Sequence, residues 1–322
     1  MPHPANRYSL VADIGGTNTR CALAEGQNLV EGTMRRYVNA DHGSLDAVLQ
    51  CFIADEGGVD PVAACVAVAG PVRGERASLT NLDWEIDTAT LTRATRAERV
   101  AILNDLQAQG HALGHIDASR IRTILPFPAA PLSLTRIVIG VGTGFNAAPV
   151  FDLGGVRIVP PSESGHVNLP VRDESDLRLS RFVAAARSCP SVEDVLSGRG
   201  LEAVYRWLSH EAGSTLAKPA HEIMAAVDEG SDPQAVETAR IVTRLLGAAA
   251  SNLALTQLPF GGVYLVGGVS RAIAPHLAGF GFGTAFRDKG RFSDFMDNFG
   301  VGVIEDDYAA LTGAAAYISG PG

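Results

Sequence analysis

Along this chain, the spacing of hydrophobic residues changes between that of a strand and that of a helix. Each change marks the boundary of a predicted element. In the first third of the chain, apolar runs of strand length predict strands at Tyr8–Asp13, Thr19–Glu25, Val30–Tyr37, Val62–Ala69 and 100–103. Apolar residues at helical spacing predict helices at Ser44–Glu56, Asp87–Arg96 and Leu106–Leu113. Strands that alternate with helices indicate an α/β protein.

The same alternation continues in the rest of the chain. Apolar runs predict two strands around 138–150 and a further strand that stops on Gly267 and Gly268. Helices are predicted at Glu193–Leu208, Pro233–Leu258 and Tyr308–Ile318. Glu193 would then lie in the first turn of its helix, where a carboxylate interacts favourably with the helix dipole.

Two stretches share one layout: an apolar strand, a tip of glycine and threonine, and a second apolar strand. The first tip is Gly15-Gly16-Thr17, which follows Asp13, and the second is Gly142-Thr143-Gly144. Glycine lets backbone N–H groups converge on an anion, and the threonine hydroxyl adds a donor. We therefore expect two hairpins that bind the phosphates of a nucleotide, although glycine-rich turns between strands also occur without a ligand.

Two other nucleotide motifs are absent from the sequence. The only lysines are Lys218 and Lys289 and neither follows a glycine, so there is no Walker loop. No Gly-x-Gly-x-x-Gly separates a strand from a helix, as a dinucleotide-binding fold requires. A net charge of −9 disfavours nucleic acid as a partner, since nucleic-acid binding neutralises phosphates.

The sequence also bears on compartment. No apolar run reaches the roughly 18 residues of a membrane span, and the N-terminal residues lack the plan of a secretory signal. The four cysteines are scattered, without the spacing of a zinc site. We expect reduced thiols and a cytoplasmic protein without a membrane partner.

Polar residues that could carry chemistry occur in two places. Asn104 and Asp105 stand where a strand ends and a helix begins, and in open α/β sheets ligands bind at such strand ends. The alternative is that they only cap the helix. Glu163 and His166 lie three residues apart in a loop that contains Gly165, and together they could hydrogen-bond sugar hydroxyls. Metal binding there is less favoured, because no third ligand is nearby.

These motifs together resemble the bacterial glucokinases of the hexokinase-like superfamily, from about Ser9 to Ala316. The predicted strand and helix order is also the half-domain plan of the actin-like ATPase and sugar-kinase superfamily. The matching segments, in family order, are Asp13–Asn18, Thr80–Trp84, Leu103–Asp105, Gly142–Gly144, Glu163–His166, Glu193–Gly198, Gly261–Gly268 and Phe286–Phe292.

The resemblance implies a role for each matching residue. The counterpart of Asp105 is the base that accepts the proton of the sugar 6-hydroxyl, and the sugar is held by the counterparts of Asn104, Asp105, Glu163, His166 and Glu193. ATP is held by the counterparts of Ala12, Asp13, Ile14, Gly15, Gly16, Thr17, Gly142, Thr143, Gly144, Gly267 and Gly268, with the last two near the adenosine. Mg²⁺ accompanies the ATP, with Asp13 as its expected protein partner.

The resemblance also implies the fold: a two-domain α/β protein of the actin-like or hexokinase-like (ribonuclease H-like) type, with the active site in the interdomain cleft. In this superfamily the last helix returns to the first domain. We therefore expect a small α/β domain at 1–113 plus 303–322 and a large α/β domain at 114–302.

The implied function is ATP-dependent phosphorylation of D-glucose to glucose 6-phosphate, with glucose and ATP as partners and a homodimer as an open alternative to a monomer. A kinase for another hexose or an amino sugar is the first alternative. The related ROK family shares Glu-x-Gly-His but usually follows it with a cysteine-rich zinc motif, which this sequence lacks. A non-catalytic sugar sensor on the same fold is the second alternative, but the few residues before Tyr8 leave no room for a DNA-binding segment.

Two positions depart from the family pattern, which commonly has glycine at both. Ser164 adds a hydroxyl beside the expected sugar contacts, so it puts the choice of sugar in doubt. Asn146 is expected to adopt the same left-handed backbone as glycine, with little effect.

Overall fold

The computed structural model describes residues 7–79, 84–187 and 189–320. The chain divides into two compact units: unit 1 is Met1–Ala118 with Asp306–Gly322, and unit 2 is Ser119–Glu305. Four residues of one family-like segment, Thr80, Asn81, Leu82 and Asp83, lie outside the described residues.

Unit 1 is built on a sheet of six strands in the order β3-β2-β1-β5-β9, with β4 paired to β2. Strands β1 and β2 are antiparallel, whereas β1, β5 and β9 run parallel. The strands are β1 (Ser9–Ile14), β2 (Asn18–Glu25), β3 (Asn28–Leu29), β4 (Arg35–Val38), β5 (Ala63–Val68) and β9 (Arg99–Asn104), and a small second sheet holds β6 (Val72–Arg73), β7 (Arg76–Ser78) and β8 (Glu85–Asp87). The helices before unit 2 are α1 (Leu45–Asp55), α2 (Thr88–Thr95) and α3 (Asp105–Ala112).

Unit 2 contains a mixed sheet in the order β10-β15-β14-β11-β12-β13, in which β11, β14 and β15 are parallel. Its strands are β10 (Ile121–Leu125), β11 (Arg136–Val141), β12 (Phe145–Leu153), β13 (Val156–Ile158), β14 (Val263–Val266) and β15 (Val301–Ile304). Its helices are α4 (Glu174–Arg187), α5 (Gly198–Glu211), α6 (Ala220–Glu229), α7 (Pro233–Gln257), α8 (Gly268–Ile273) and α9 (Phe282–Arg287). The last helix, α10 (Ala309–Ser319), belongs to unit 1.

The sheet of unit 1 is buried on both faces, which explains its nearly continuous apolar strands. On one face, Leu10 and Val66 pack with Leu49 of α1. On the other face, Val11 and Cys65 pack with Leu311 and with alanines of α10. Helix α10 also lies close to α3, since a Cβ at Gly313 would overlap the carbonyl oxygen of Ala108. In both units, the parallel strands at the centre of the sheet end next to the candidate site residues.

The mixed α/β architecture confirms the predicted fold class, and two of the predicted elements are wrong. The strand predicted at Val30–Tyr37 is replaced by a loop and the shorter β4, because Val30 turns back to pair with Leu23. The helix predicted from Glu193 begins only at Gly198, and Ser197 is its N-cap. Glu193 therefore lies in a turn before the helix, where its carboxylate faces other partners.

The four cysteines are free thiols, and Cys21 and Cys65 are buried. Among the described residues, no helix combines the length and the apolar character that a membrane span needs.

Candidate active site

The first hairpin joins β1 to β2, as the sequence predicts. Asp13 and Arg20 are opposite each other in the antiparallel register, and Ile14 pairs with Thr19. At the tip, the N–H of Gly15 donates to the carbonyl of Asn18 at 3.0 Å, while Gly16 and Thr17 are exposed to solvent. The exposed tip leaves room for a ligand.

The tip is held by Asn39, a residue that sequence reasoning missed. The buried Asn39 side chain donates to the carbonyl of Gly15 at 2.7 Å and accepts from the hydroxyl of Thr19 at 2.8 Å. Its backbone N–H donates to the carbonyl of Thr17 at 2.9 Å. A buried amide with all of these partners fixes the turn in one conformation. Nothing in the sequence distinguishes this asparagine, because its partners lie on another strand.

Asp13 is the acidic group of this hairpin, and its side chain is 19% exposed. Burial raises the pKa of its carboxyl, while Arg20, whose Nη1 lies 3.3 Å from Oδ2, acts in the opposite direction. The neighbouring candidates Ala12 and Ile14 are different, because both side chains lie fully in the core. Of these three residues, Asp13 has the side chain that can act on a ligand.

Asn104 and Asp105 lie at the junction of β9 and α3, where the sequence places them. Asn104 caps the helix: its side chain accepts from the N–H of Leu106 at 2.9 Å, and Gln107 accepts the N–H of Asn104 in return. The amide nitrogen of Asn104 donates to the carbonyl of Gly70 at 3.0 Å. The capping alternative is therefore real for Asn104, but it does not account for the Asp105 carboxylate.

Asp105 is the first residue of α3, and its Oδ1 accepts from the N–H of Leu106 at 2.9 Å. Burial, together with the negative charge of Asp13, raises the pKa of Asp105 to about 6. The backbone hydrogen bonds at the helix N-terminus lower the pKa but do not cancel this shift. A carboxylate with this pKa takes up a proton more readily than an ordinary aspartate and is still ionised near neutral pH.

The second hairpin joins β11 to β12, also as predicted. Gly142 forms the turn, with its N–H donating to the carbonyl of Gly144 at 2.9 Å and its carbonyl accepting from Gly198 at 2.8 Å. A Cβ at Gly142 would lie 4.0 Å from the nitrogen of Gly268. The hairpin tip therefore faces the first residues of both α5 and α8.

Two glycines of this region, Gly267 and Gly144, are required for different reasons. Gly267 has a φ of 99°, and a Cβ there would lie 2.5 Å from the carbonyl oxygen of Val141. Gly144 has an ordinary φ, but a Cβ would overlap Oε2 of Glu193. In the part of the chain that the structure describes, a Cβ at Gly268 would meet no atom within 4 Å outside its chain neighbours and its own helix.

Glu193 and the segment Glu163–His166 come together in unit 2. Glu193 accepts the N–H of Phe145 on Oε2 at 2.9 Å, and its own N–H donates to the carbonyl of Gly165 at 2.9 Å. Glu163 and His166 are exposed, and among the described residues neither side chain has a hydrogen-bonding partner. Two free polar side chains beside a partly engaged carboxylate can hydrogen-bond a ligand rich in hydroxyl groups.

Asn146 corrects one expectation. The residue lies inside β12 and does not have the left-handed backbone that the sequence suggested; the described non-glycine residues with positive φ are Arg96 and Leu258. Its side chain contacts the loop before Gly165 instead, and the hydroxyl of Ser164 donates to its Oδ1 at 3.1 Å. The two departures from the family pattern are thus in direct contact.

Comparisons with known proteins identify the family of this chain. The family model described as glucokinase matches residues 10–320. The glucokinase of Brucella abortus is 33% identical over 314 residues, which cover 97% of this chain and 91% of the relative.

Two solved structures extend the similarity. A glucokinase from an Antarctic psychrotroph is 30% identical, with a TM-score of 0.85 and coverage of 97% of this chain and 98% of the other. The glucokinase of Balamuthia mandrillaris, solved in complex with glucose, shares the fold at a TM-score of 0.80 and 22% identity, with coverage of 97% and 93%. The chain therefore belongs to the glucokinase family, the enzymes that phosphorylate glucose with ATP.

Proposed function

We propose that this protein transfers the terminal phosphoryl group of ATP to the 6-hydroxyl of D-glucose, with Asp105 as the catalytic base. The observation that carries the assignment of the base is the place and the pKa of Asp105. Its carboxylate follows the end of a parallel strand, and its pKa is raised to about 6. Such a group is ionised at neutral pH and can accept the proton of a hydroxyl that attacks phosphorus.

We assign sugar binding to Asn104, Asp105, Glu163, His166 and Glu193. Glu163 and Glu193 can accept from hydroxyl groups, and His166 can donate. Glucose in the related Balamuthia structure supports a sugar ligand of this kind. The hydroxyl of Ser164, which put the choice of sugar in doubt, already has an acceptor in Asn146. The hydroxyl of Ser164 is therefore not an additional donor that could select a sugar other than glucose, and this favours glucose as the substrate.

We assign the ATP phosphates to the hairpin tip Gly15–Thr17 with Asp13, and to the tip Gly142–Gly144. The adenosine would lie near Gly267 and Gly268, where a Cβ at Gly268 would meet only open space. Backbone N–H groups of glycine-rich turns and helix N-termini are suitable donors to phosphate oxygens. Ala12 and Ile14 would contribute only by holding Asp13 in register, because their own side chains are buried.

The residues around Asp13 fit a Mg²⁺ that arrives with ATP. The carboxylate of Asp13 is a hard oxygen ligand of the kind that Mg²⁺ prefers. Arg20 does not fully compensate for the burial of this negative charge, so a nearby cation would stabilise it. Within the described residues there is no group of three or more His, Cys, Asp or Glu side chains that could form a complete metal site. This suits a metal bound mainly by phosphate oxygens and water. The ion would neutralise the charge of the terminal phosphates.

The proposed reaction depends on how the sugar hydroxyl and the terminal phosphate are positioned. Asp105 orients the 6-hydroxyl and accepts its proton while the new oxygen–phosphorus bond forms and the bond from the terminal phosphorus to the bridging oxygen breaks. ADP and glucose 6-phosphate are the products. The transition state spreads negative charge over the transferred oxygens, so the donors of the two hairpin tips stabilise it.

We further propose that unit 1 and unit 2 are the two domains of the family, and that the enzyme acts in the cytoplasm without a nucleic-acid or membrane partner. The net charge of −9 and the four unpaired thiols support this placement. A homodimer is the alternative to a monomer, and light scattering decides between them.

The decisive experiment is a coupled assay of ADP release with a panel of sugars and phosphoryl donors. We expect glucose with ATP and Mg²⁺ to give the highest kcat/KM among glucose, mannose, fructose and glucosamine. A clear preference for another sugar would replace the substrate, and absence of turnover with every sugar would favour a non-catalytic sugar sensor.

A further inference from the structure

The side chain of Asn146 is the centre of a hydrogen-bond network beneath the proposed sugar-binding turn. Its Nδ2 donates to the carbonyl of Ser162 at 2.5 Å. Its Oδ1 accepts from the N–H of Ser164 at 3.0 Å and from the hydroxyl of Ser164 at 3.1 Å. The Ser162 hydroxyl donates to the carbonyl of Ala147, the next residue of β12. Two consecutive residues of one strand thus hold the loop from both sides of Glu163.

This network requires an amide at position 146. One partner is a carbonyl, which needs a donor, and the other is an N–H, which needs an acceptor, so the orientation of the amide is fixed by its partners. An aspartate of the same shape would place an acceptor against the carbonyl of Ser162. An alanine would leave both backbone groups without their partner. The interaction therefore depends on the chemistry of asparagine as well as on its size.

The turn at residues 162–166 is also held at Gly165, which contacts β12 and the segment around Glu193. Gly165 accepts from the N–H of Glu193 at 2.9 Å, and a Cβ at Gly165 would overlap the carbonyl oxygen of Phe145. Glu163 lies between the two serines that Asn146 holds, and its side chain is exposed. His166 lies beyond Gly165 and is exposed as well. Because neither side chain has a described partner of its own, the backbone of the turn determines where both point.

We propose that Asn146 and Ser164 form a positioning pair that sets sugar affinity by fixing the turn that carries Glu163 and His166. Asn146 is a positioning residue, and its effect reaches the sugar through Glu163. Asn146 lies two residues after Gly144, so the start of the same strand supports the phosphate tip and the sugar turn. This inference rests on the proposed function, because it assigns Glu163 and His166 to the sugar.

The test is a double-mutant cycle with Asn146→Ala, Ser164→Ala and the double variant, assayed with glucose and with ATP. Asn146→Ala should raise the KM for glucose about tenfold to a hundredfold, and the KM for ATP by less than about twofold. Ser164→Ala removes only one hydroxyl and should have a smaller effect, roughly threefold. In the Asn146→Ala background, Ser164→Ala should have almost no further effect, because its acceptor is already gone. Asn146→Asp should raise the KM for glucose as Asn146→Ala does, because aspartate lacks the donor to the carbonyl of Ser162.

The matched control is Asn298→Ala, which removes another partly buried amide of unit 2 that donates to a backbone carbonyl, that of Phe295. It should leave both KM values near those of the unaltered enzyme. Equal increases in the KM for glucose and for ATP in Asn146→Ala, or additive effects of the two substitutions, would overturn the proposal.

Hydrogen exchange separates this proposal from the proposed function. Without any sugar, amides of residues 162–166 should exchange faster in Asn146→Ala than in the unaltered protein, and Asn298→Ala should show no change there. If the unaltered protein fails to phosphorylate glucose, the function is wrong, and this measurement alone then decides whether Asn146 holds the turn. Unchanged exchange would refute the positioning pair even in an active glucokinase.

Discussion

The hairpin of β1 and β2 and the hairpin of β11 and β12 have the same backbone plan but different surroundings. In the first hairpin, the carboxylate of Asp13 belongs to the hairpin itself, and Asn39 holds the tip. In the second hairpin, the carboxylate comes from Glu193, which lies 48 residues after Phe145 in the sequence. The carboxylate accepts a hydrogen bond from the N–H of Phe145. The first hairpin thus places charge next to the partly buried Asp105, whereas the second connects a glycine tip to a polar turn. Under the proposed function, the first hairpin therefore serves the acid–base and metal chemistry, and the second hairpin supports part of the sugar recognition.

The largest expected effect tests the chemistry of unit 1. Asp105→Asn keeps the shape of the side chain but cannot accept a proton, so kcat should fall by roughly a thousandfold or more. The Kd for glucose, measured by calorimetry, should change by less than about tenfold. Asp60→Asn, at an exposed position of the same unit, is the control. Activity of Asp105→Asn within about tenfold of the unaltered enzyme would remove Asp105 from the role of base.

The next effect tests recognition by unit 2. Glu163→Gln and His166→Ala should each lower kcat/KM for glucose roughly 5- to 150-fold, which corresponds to about 1–3 kcal/mol, since a sugar hydroxyl loses its partner. The KM for ATP should stay within about threefold. The comparison of the two units would fail if both substitutions weakened ATP as strongly as glucose.

A smaller effect should distinguish Gly144 from Gly142 in the second hairpin tip. Gly144→Ala should raise the KM for glucose about tenfold, because its Cβ would displace the carboxylate of Glu193. Gly142→Ala is the matched control, since among the described residues, apart from its two chain neighbours, the atom nearest to its Cβ would be the nitrogen of Gly268 at 4.0 Å. We expect its effect on the KM for glucose to be below about twofold, with any loss confined to ATP. Steady-state kinetics with each substrate varied in turn checks both expectations, and equal effects of the two variants would show that Glu193 is not involved.

The first tip should respond differently. Asn39→Ala leaves the carbonyl of Gly15 and the hydroxyl of Thr19 without a buried partner, so it should destabilise the protein by about 1–3 kcal/mol. The KM for ATP should rise a few-fold and that for glucose should not. Thermal unfolding and kinetics test the two parts separately, and an increase confined to glucose would reverse the roles assigned to the hairpins.

The smallest effect concerns pH. A base must be deprotonated to act, so kcat/KM for glucose should rise with pH and level off above about pH 6, the raised pKa of Asp105. Asp13 contributes to that shift by repulsion, so in Asp13→Asn the remaining activity should level off at a lower pH. Asp60→Asn should leave the profile unchanged. A profile of Asp13→Asn that keeps the same midpoint would mean that the Asp13 charge does not act on Asp105.

The sequence by itself determined the local elements that carry the site. Alternating and continuous apolar runs predicted both hairpins, and the polar pair at the end of an apolar run placed Asp105 at the junction of β9 and α3. These features depend on neighbouring residues: apolar periodicity selects strands and helices, and glycine and threonine mark the tips. The fold class followed from the order of these elements.

Tertiary structure alone decided how the tips are held and where the acidic residues point. Helical periodicity placed Glu193 in a helix, yet its carboxylate caps the N–H of Phe145 in a turn. Nothing in the sequence predicted that Asn39 or Asn146 would anchor a turn, and each holds a turn that lies 16 to 24 residues away. Their roles arise from hydrogen bonds between segments far apart in sequence. Such bonds depend on three-dimensional distances and orientations, which local patterns of hydrophobic and polar residues do not specify.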